Sequence, residues 1–326
     1  HHPENAPPYA VLLAQLGTLR YRAKYPPAGR IIAAIPMPAE PVKIALGGGV
    51  VWVATTDRQG GGSLVRLAAA TGRTVGDPEP VGFEPHDLSV GEGGVWVSQQ
   101  ATVARFDPTT GKRTARIPIQ VRSNYVPILA AAGSVWVADP AEEVSTVLRI
   151  DAATNRVVGP PIQVGQEPLF LAAGAGSIWA GSHDSKTIAR IDPRTRHVSA
   201  TVATGFEVHG LAYGAGALWV ANYHGHAVVR VDPASHHVVG QPTNVGYSFE
   251  AIAAAGGAVW TAPDPYANDA VKGNDNVTRI DARTGAVLGV VHVGGTPNDV
   301  SAGERQVWVA ITRPNVIVRI LPADSP

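Results

Sequence analysis

The chain has 326 residues, no cysteine, and 26 acidic residues balanced by 26 lysines and arginines. The absence of cysteine excludes disulfide bonds, thiolate metal sites and a cysteine nucleophile. The zero net charge gives no overall field that would attract nucleic acid or an anionic membrane surface. No apolar run approaches the roughly 20 residues of a membrane-spanning helix, so no membrane insertion of this chain is expected.

The first segment predicts an N-terminal arm, residues 1–28, that contains a short helix over residues 9–24. Its apolar residues fall near helical spacing: Val11, Leu12, Leu13, Leu16 and Leu19. The arm is interpreted as packed on the following domain or, alternatively, as a linker beside a removed membrane anchor. The chain begins with His1 and His2, like the remnant of an affinity tag, and lacks an initiating Met. We therefore expect that a signal peptide or anchor preceded it and that the protein is extracellular or extracytoplasmic.

Seven tryptophans divide the remaining chain, residues 29–326, into repeats. Successive tryptophans are separated by 44, 40, 43, 40, 41 and 48 residues, and each lies in the same short apolar phrase. They are Trp52, Trp96, Trp136, Trp179, Trp219, Trp260 and Trp308. A period near 40 residues with a β-rich phrase in each unit is typical of a stacked or radial repeat.

The pattern within one repeat predicts four short antiparallel strands joined by Gly/Pro turns. Each third strand carries an arginine, which a sevenfold occurrence assigns to packing: Arg66, Arg105, Arg149, Arg190, Arg230, Arg279 and Arg319. The last repeat stops after its third strand, while residues 29–36 read like a fourth strand. We therefore predict an all-β, seven-bladed β-propeller of four-stranded antiparallel blades, closed by an N-terminal strand that completes the last blade.

Three positions of the repeat indicate a site on the face that carries the blade-to-blade connections and the loops between second and third strands. The position ten residues before each tryptophan is aliphatic in three repeats and polar in four. In chain order it holds Val42, His86, Val126, Leu169, His209, Glu250 and Asn298. The polar members have no obvious folding role, so His209, His86 and Glu250 are candidate catalytic residues.

Neighbouring positions supply candidate binding and metal-ligating residues. Four glutamates occupy the position twelve residues before a tryptophan, where carboxylates would attract a cation such as Mg²⁺ or Ca²⁺: Glu40, Glu84, Glu167 and Glu207. Candidate binding residues come from adjacent positions and loops: Lys43, Asp87, Tyr125, Phe170, Asn298, Asp299, Asn222 and His224. We expect a monomer that binds a small molecule or a peptide at the mouth of the central channel.

The recurring phrases Gly-x-Val-Trp-Val-Ala and Val-x-Arg-Ile-Asp-Pro resemble the streptogramin-lyase-like and YVTN-type bacterial propellers over residues 29–321. In streptogramin lyases, first-strand histidines act with a glutamate three residues after the tryptophan and with magnesium. His86 and His209 match the histidine positions. The glutamate position instead holds Thr55, Gln99, Asp139, Ser182, Asn222, Pro263 and Ile311. We therefore predict that the chain does not linearise streptogramin B antibiotics.

Three hypotheses for function follow from the sequence. The first is a ligand-binding or sensor propeller with a polar site at the channel mouth. The second is a metal-assisted enzyme of the lyase or lactonase kind, since propeller enzymes place metals and bases at that mouth. The third is a protein-interaction scaffold that uses another surface.

Overall fold

A computed structural model of the chain describes residues 25–264 and 275–323. All regular secondary structure in these two ranges is β-strand, and the predicted helix over residues 9–24 lies outside them. The strands form seven antiparallel sheets arranged as the blades of a β-propeller, which confirms the predicted fold class. No helix capable of crossing a membrane occurs in the described ranges.

The first strand of the described residues, β1 (Gly29–Pro36), belongs to the last blade. Blade 1 contains β2 (Glu40–Gly47), β3 (Val50–Thr56), β4 (Gly61–Ala68) and β5 (Glu79–Phe83). Blade 2 contains β6 (Asp87–Gly91), β7 (Gly94–Gln99), β8 (Thr102–Phe106) and β9 (Arg113–Pro118). Blade 3 contains β10 (Ile128–Ala131), β11 (Ser134–Asp139), β12 (Thr146–Asp151), β13 (Arg156–Val157) and β14 (Ile162–Gln163).

The second half of the ring repeats this arrangement. Blade 4 contains β15 (Pro168–Gly174), β16 (Ser177–Ser182), β17 (Thr187–Asp192) and β18 (His197–Ala203). Blade 5 contains β19 (Val208–Gly214), β20 (Ala217–Asn222), β21 (Ala227–Asp232) and β22 (His237–Asn244). Blade 6 contains β23 (Ala251–Ala255), β24 (Ala258–Ala262), β25 (Asn276–Asp281) and β26 (Val287–His292). Blade 7 contains β27 (Pro297–Ala302), β28 (Val307–Thr312) and β29 (Asn315–Pro322), with β1 at its outer edge.

The N-terminal strand closes the ring as the sequence predicts. Strand β1 pairs antiparallel with β29, from Gly29 opposite Pro322 to Pro36 opposite Val316. Without β1, the edge of β29 would present unpaired backbone groups. Closure by β1 therefore holds blade 7 complete and places its neighbour, blade 1, directly after it.

The seven tryptophans form the packing between blades. Each tryptophan is at most 1% exposed. The large apolar area that an indole buries explains why every repeat has a tryptophan at this position. The arginine of each third strand lies over the tryptophan ring of its own blade, at 4.8 to 5.9 Å from the guanidinium carbon to the ring centroid. The sevenfold arginine is therefore a cation–π partner of the core.

The first strands of neighbouring blades contact one another around the ring, so they line the central channel. A first strand begins at the end of the blade where the second strand finishes, as in blade 5, where Val208 pairs with Asn222. The residues just before a first strand and the loop after the second strand therefore share one face, called here the mouth face.

Candidate functional site

The first hairpin contains a β-bulge in four blades. The register of the first hairpin shifts at Val42, Leu169, Asn298 and the pair His209–Gly210. A bulge places two residues opposite one, bends the strand and redirects a side chain, and it is common beside functional sites. Of the four polar residues ten positions before a tryptophan, His209 and Asn298 lie at such a bulge.

The bulge in blade 5 brings His209 close to blade 6. A Cβ atom at Gly210 would collide with the carbonyl oxygen of Glu250, so only glycine permits this approach of the two blades. His209 Nδ1 lies 3.4 Å from Glu250 Oε1. The His209 side chain is 12% exposed, and its Nε2 atom is buried without a hydrogen-bond partner.

A second histidine from the neighbouring blade faces His209. His183 lies in the loop after β16, and the two imidazole centroids are 4.7 Å apart in an edge-on arrangement. His183 Nδ1 is 2.9 Å from Glu167 Oε2 and 2.7 Å from Asp184 Oδ1. The backbone fixes this loop, because the His183 amide donates to the Glu167 carbonyl at 3.0 Å.

Glu207 completes the arrangement between the two histidines. Its Oε2 atom lies 3.8 Å from His183 Nε2 and 3.9 Å from His209 Nε2. One ligand atom from each of His183, Glu207 and His209 lies within 4.8 Å of the other two. The histidine cluster is defined here as these three residues with the carboxylates of Glu167, Asp184 and Glu250.

The separations suit a small metal ion. Ligand bonds of about 2.1 Å in tetrahedral geometry place ligand atoms roughly 3.4 Å apart, and the two nitrogen–oxygen separations to Glu207 are 3.8 and 3.9 Å. A contraction of about half an ångström in each of these two separations would therefore match the spacing around such an ion. Each Nδ1 atom faces a carboxylate, the arrangement that orients metal-binding histidines and increases their basicity.

Three further side chains surround the histidine cluster. His224 Nε2 lies 3.2 Å from Glu207 Oε2 and is 73% exposed, and Lys186 Nζ lies 3.5 Å from Glu207 Oε1. The ring of Tyr223 stacks on His209 at 4.6 Å between centroids. The Tyr223 hydroxyl donates to Asp264 Oδ2 at 2.6 Å. The two loops after β20 and β24 thus place a phenol–carboxylate pair beside the cluster.

The charges of the cluster shift two carboxyl groups in opposite directions. Burial raises the pKa of Glu167, the negative charge of Asp184 adds to this, and His183 opposes it. Burial also disfavours ionisation of Glu207, but the positive charges of His183, Lys186 and His224 outweigh it and lower the pKa of that carboxyl. Glu207 is therefore the ionised carboxylate at the centre of the histidine cluster.

A second polar group lies in the channel on the other side of the ring. Lys43, Asp87 and Asp299 occupy equivalent first-strand positions in blades 1, 2 and 7. Tyr125 precedes blade 3, and its ring centroid lies 6.1 Å from that of His86. These five residues are defined here as the lysine cluster.

Both aspartates of the lysine cluster connect adjacent blades. Asp87 Oδ2 accepts from the Ile128 amide of blade 3 at 2.9 Å, and its Oδ1 accepts from Leu88 at 2.8 Å. Asp299 Oδ2 accepts from the Ile44 amide of blade 1 at 3.0 Å. Each carboxylate thus supplies an acceptor to the first strand of the next blade, next to the channel.

Electrostatics within the lysine cluster favour a protonated lysine and phenol. The largest influence on the pKa of Lys43 is the negative charge that Tyr125 would carry when ionised, which raises this pKa. Burial of the ammonium lowers the pKa of Lys43, whereas the carboxylates of Asp299, Asp87 and Glu250 raise it. Burial raises the pKa of Tyr125 to about 12, so its phenol stays neutral at pH 7. The carboxylates therefore hold Lys43 as an ammonium.

Burial is also the first cause at the remaining groups of the lysine cluster. It raises the pKa of Asp87 and Asp299, and Lys43 partly offsets this in both. It lowers the pKa of His86, which the nearby charge of Glu84 partly offsets. His86 is therefore a neutral imidazole, and its buried Nδ1 atom has no hydrogen-bond partner.

The remaining candidate residues have structural contacts or lie apart from both clusters. Asn298 donates to the carbonyls of Pro41 and Val42, at 3.4 and 3.0 Å, and so connects blades 7 and 1. Asn222 Oδ1 accepts from the Gly225 amide at 3.0 Å and stabilises the turn after β20. Phe170 packs against the apolar core of blades 4 and 5.

The candidate glutamates divide between the two sides of the ring. Glu167 and Glu207 belong to the histidine cluster. Glu84 lies beside His86 in blade 2. Glu40 pairs with Thr56 at the start of blade 1. The structure therefore brings together two of the four carboxylates predicted to bind a metal.

Sequence reasoning did not select His183, although it is the residue that opposes His209. The signal that could have found it is the phrase Ser182-His183-Asp184 in a loop after a second strand, beside the glutamates of blades 4 and 5. Tyr223 follows Asn222 in the equivalent loop of the next blade. Polar loop residues in adjacent blades become neighbours once the ring closes.

No protein-family model and no curated protein sequence matches the chain. Solved structures are similar to it in fold. Hydrazine synthase from Kuenenia stuttgartiensis is 14% identical with a TM-score of 0.71, over 89% of this chain and 96% of that chain. Virginiamycin B lyase from Staphylococcus aureus is 13% identical with a TM-score of 0.67, over 89% of this chain and 98% of that chain. At these identities the likeness establishes the propeller fold alone.

Proposed function

We propose that this chain is a ligand-binding propeller that holds a divalent metal ion between blades 4 and 5, at the mouth of the channel. One observation carries the proposal. In both His183 and His209, Nδ1 faces a carboxylate while Nε2 faces the same oxygen of Glu207. Imidazoles held in this way present their second nitrogen as a metal ligand.

The donor set indicates which ion would bind. Two imidazole nitrogens and one carboxylate suit Zn²⁺ or a similar first-row transition ion, whereas Mg²⁺ and Ca²⁺ prefer sites made of oxygen atoms. The sequence alone pointed to the latter two ions, because it drew attention to four glutamates. The histidine pair shifts the preference to Zn²⁺.

An ion bound by three side chains keeps a coordination position for an outside ligand. Zinc sites with two histidines and one glutamate use that position for water or substrate. A ligand with an oxygen or nitrogen donor would enter from the mouth face, where His224 and Lys186 lie around Glu207.

The test is calorimetric titration of metal-stripped protein with Zn²⁺, Co²⁺ and Mg²⁺. We expect one Zn²⁺ per chain and much weaker Mg²⁺ binding, and at least a tenfold loss of Zn²⁺ affinity in each of His183→Ala, Glu207→Gln and His209→Ala. His197→Ala is the matched control, since His197 is exposed at the start of β18, the outer strand of blade 4. Zn²⁺ binding that all three variants retain would refute the site.

A metal-assisted enzyme is the second candidate function. The observation that favours it is Tyr223, which stacks on His209 at 4.6 Å and donates to Asp264 at 2.6 Å. A phenol beside a metal-bound carbonyl or leaving oxygen can serve as a general acid. This function requires turnover, which the binding function does not.

Turnover is tested by incubating the zinc-loaded protein with a panel of lactones and esters and comparing it with Tyr223→Phe. A streptogramin B antibiotic belongs in the panel as an expected negative. The loop position that would hold the acidic partner is Asn222, whose amide oxygen stabilises a turn instead. Ring opening faster than about 1 per second, an ordinary enzyme rate, would contradict this expectation.

A further inference from the structure

The lysine cluster contains hydrogen-bond donors that no described residue satisfies. Among residues 25–264 and 275–323, neither the Lys43 ammonium nor the Tyr125 hydroxyl has a hydrogen bond or ion pair. His86 Nδ1 is likewise buried without a partner. An ammonium can donate three hydrogen bonds and a phenol one. Lys43 and Tyr125 are both partly exposed, so these donors are open to a ligand in the channel.

The nearby aspartates do not supply the missing acceptors. Asp87 accepts from the backbone amides of Leu88 and Ile128, and Asp299 accepts from that of Ile44. These bonds orient both carboxylates along the strands of adjacent blades. Lys43 is therefore positioned between two carboxylates without pairing with either.

Charge also decides what kind of ligand would fit. The Lys43 ammonium interacts electrostatically with three carboxylates, those of Asp299, Asp87 and Glu250. A purely anionic ligand would be attracted by one ammonium and repelled by three carboxylates, and a dianionic phosphate would be repelled most. A purely cationic ligand would offer no acceptor to the Lys43 ammonium or the Tyr125 hydroxyl.

We propose that the channel at the lysine cluster binds a small zwitterion, an α-amino acid, with its carboxylate on Lys43 and Tyr125 and its ammonium toward Asp299. Such a ligand supplies one acceptor group and one donor group to a site that contains both signs of charge. Hydrogen bonds between charged groups are stronger than those between neutral groups. This site lies in blades 1, 2, 3 and 7 and does not depend on a bound metal.

The experiment is a thermal-shift screen of the twenty amino acids, one at a time, in the presence of EDTA, followed by calorimetry on those that stabilise the protein. Each amino acid that binds is compared with its methyl ester, which lacks the carboxylate charge, and with the corresponding acid that lacks the amino group. We expect the zwitterion to bind at least tenfold more tightly than either analogue. A screen with no amino acid binding below about 10 mM would overturn the proposal.

Variants assign the binding to the lysine cluster. We expect at least a tenfold weaker affinity in Lys43→Met and a measurable loss of affinity in Tyr125→Phe. The second variant keeps the aromatic ring, so it tests the site even if Lys43→Met folds poorly. Lys112→Met is the matched control, since Lys112 pairs with Glu79 in the outer part of the ring. Undiminished binding in both cluster variants, or loss of binding in His183→Ala, would refute this location.

Discussion

The histidine cluster and the lysine cluster use similar residue types for different purposes. In the lysine cluster, Asp87 and Asp299 accept backbone hydrogen bonds from neighbouring blades at 2.9 and 3.0 Å. In the histidine cluster, Glu167, Asp184 and Glu250 contact imidazoles. Carboxylates of the first kind hold the ring together, and those of the second kind orient potential ligands. The partner of a carboxylate, rather than its position in the repeat, distinguishes the two roles.

The comparison also separates what a loss of each group would do. Removing a carboxylate bonded to buried backbone amides leaves those amides without acceptors. Removing an imidazole whose Nε2 atom already lacks a partner leaves no hydrogen bond of that atom unmade, so the cost in stability is smaller. Stability measurements can therefore assign each residue to a structural or a ligand-binding role without knowledge of the ligand.

The largest effect is expected for Asp87→Ala. The substitution leaves the amides of Leu88 and Ile128 without acceptors, and each unsatisfied buried amide costs about 1–3 kcal/mol. We expect a loss of about 3 kcal/mol in the free energy of unfolding, measured by urea denaturation. Asp87→Asn keeps an acceptor oxygen and should lose less. Equal stability of Asp87→Ala and the unmodified chain would show that the Asp87 carboxylate does not stabilise the ring.

A slightly smaller effect is expected when Zn²⁺ is added to the metal-free protein. A ligand that binds only the folded state at a free concentration one hundred times its Kd raises the free energy of unfolding by about 2.7 kcal/mol. We expect this gain for the unmodified chain and for Asp87→Asn, and its absence in Glu207→Gln. The measurement is urea denaturation at fixed free Zn²⁺. A gain that persists in Glu207→Gln would show that the ion binds elsewhere.

The period of the tryptophans predicts the fold because each of the seven blades needs a large apolar side chain to pack against its neighbour. Residues 29–36 likewise predict ring closure, since their pattern matches a fourth strand that the last repeat lacks. The site is harder to predict. His183 and His209 belong to different blades and lie 26 positions apart in the sequence, so their proximity depends on the angle between adjacent blades.

The roles of Asn298 and Asp299 could not be obtained from the repeat either. Both occupy positions that are apolar in some repeats and polar in others, which is also where a binding residue would be expected. Their bonds to blade 1 depend on the bulge at Asn298 and on the approach of the next strand. A sequence column shows that a polar residue is exceptional, but it does not show which donor or acceptor lies opposite.

A smaller effect on stability is expected for His209→Ala in the metal-free protein. The imidazole stacks on Tyr223, but its Nε2 atom is buried and unsatisfied, so the gain and the loss partly cancel. We expect a change within about 1 kcal/mol, as for substitutions outside the core, together with loss of the stabilisation by Zn²⁺. A loss of several kcal/mol without metal would instead place His209 among the structural residues.

The smallest effect concerns pH and contrasts Asp87 with the turn residue Asp151. Hydrogen bonds from the Thr154 amide and hydroxyl lower the pKa of Asp151. Its contribution is therefore present above the unfolded pKa of about 3.9 and is lost as pH falls through the folded value. Burial raises the pKa of Asp87, so its ionisation opposes folding at neutral pH, and that opposition is relieved as pH falls. Asp151→Asn should thus weaken the loss of stability in acid, and Asp87→Asn should strengthen it. In each case the number of protons taken up on unfolding should change by less than one. Urea denaturation from pH 7 to pH 3 measures both slopes, and a change of the same sign in the two variants would contradict the assignment of the two aspartates to different roles.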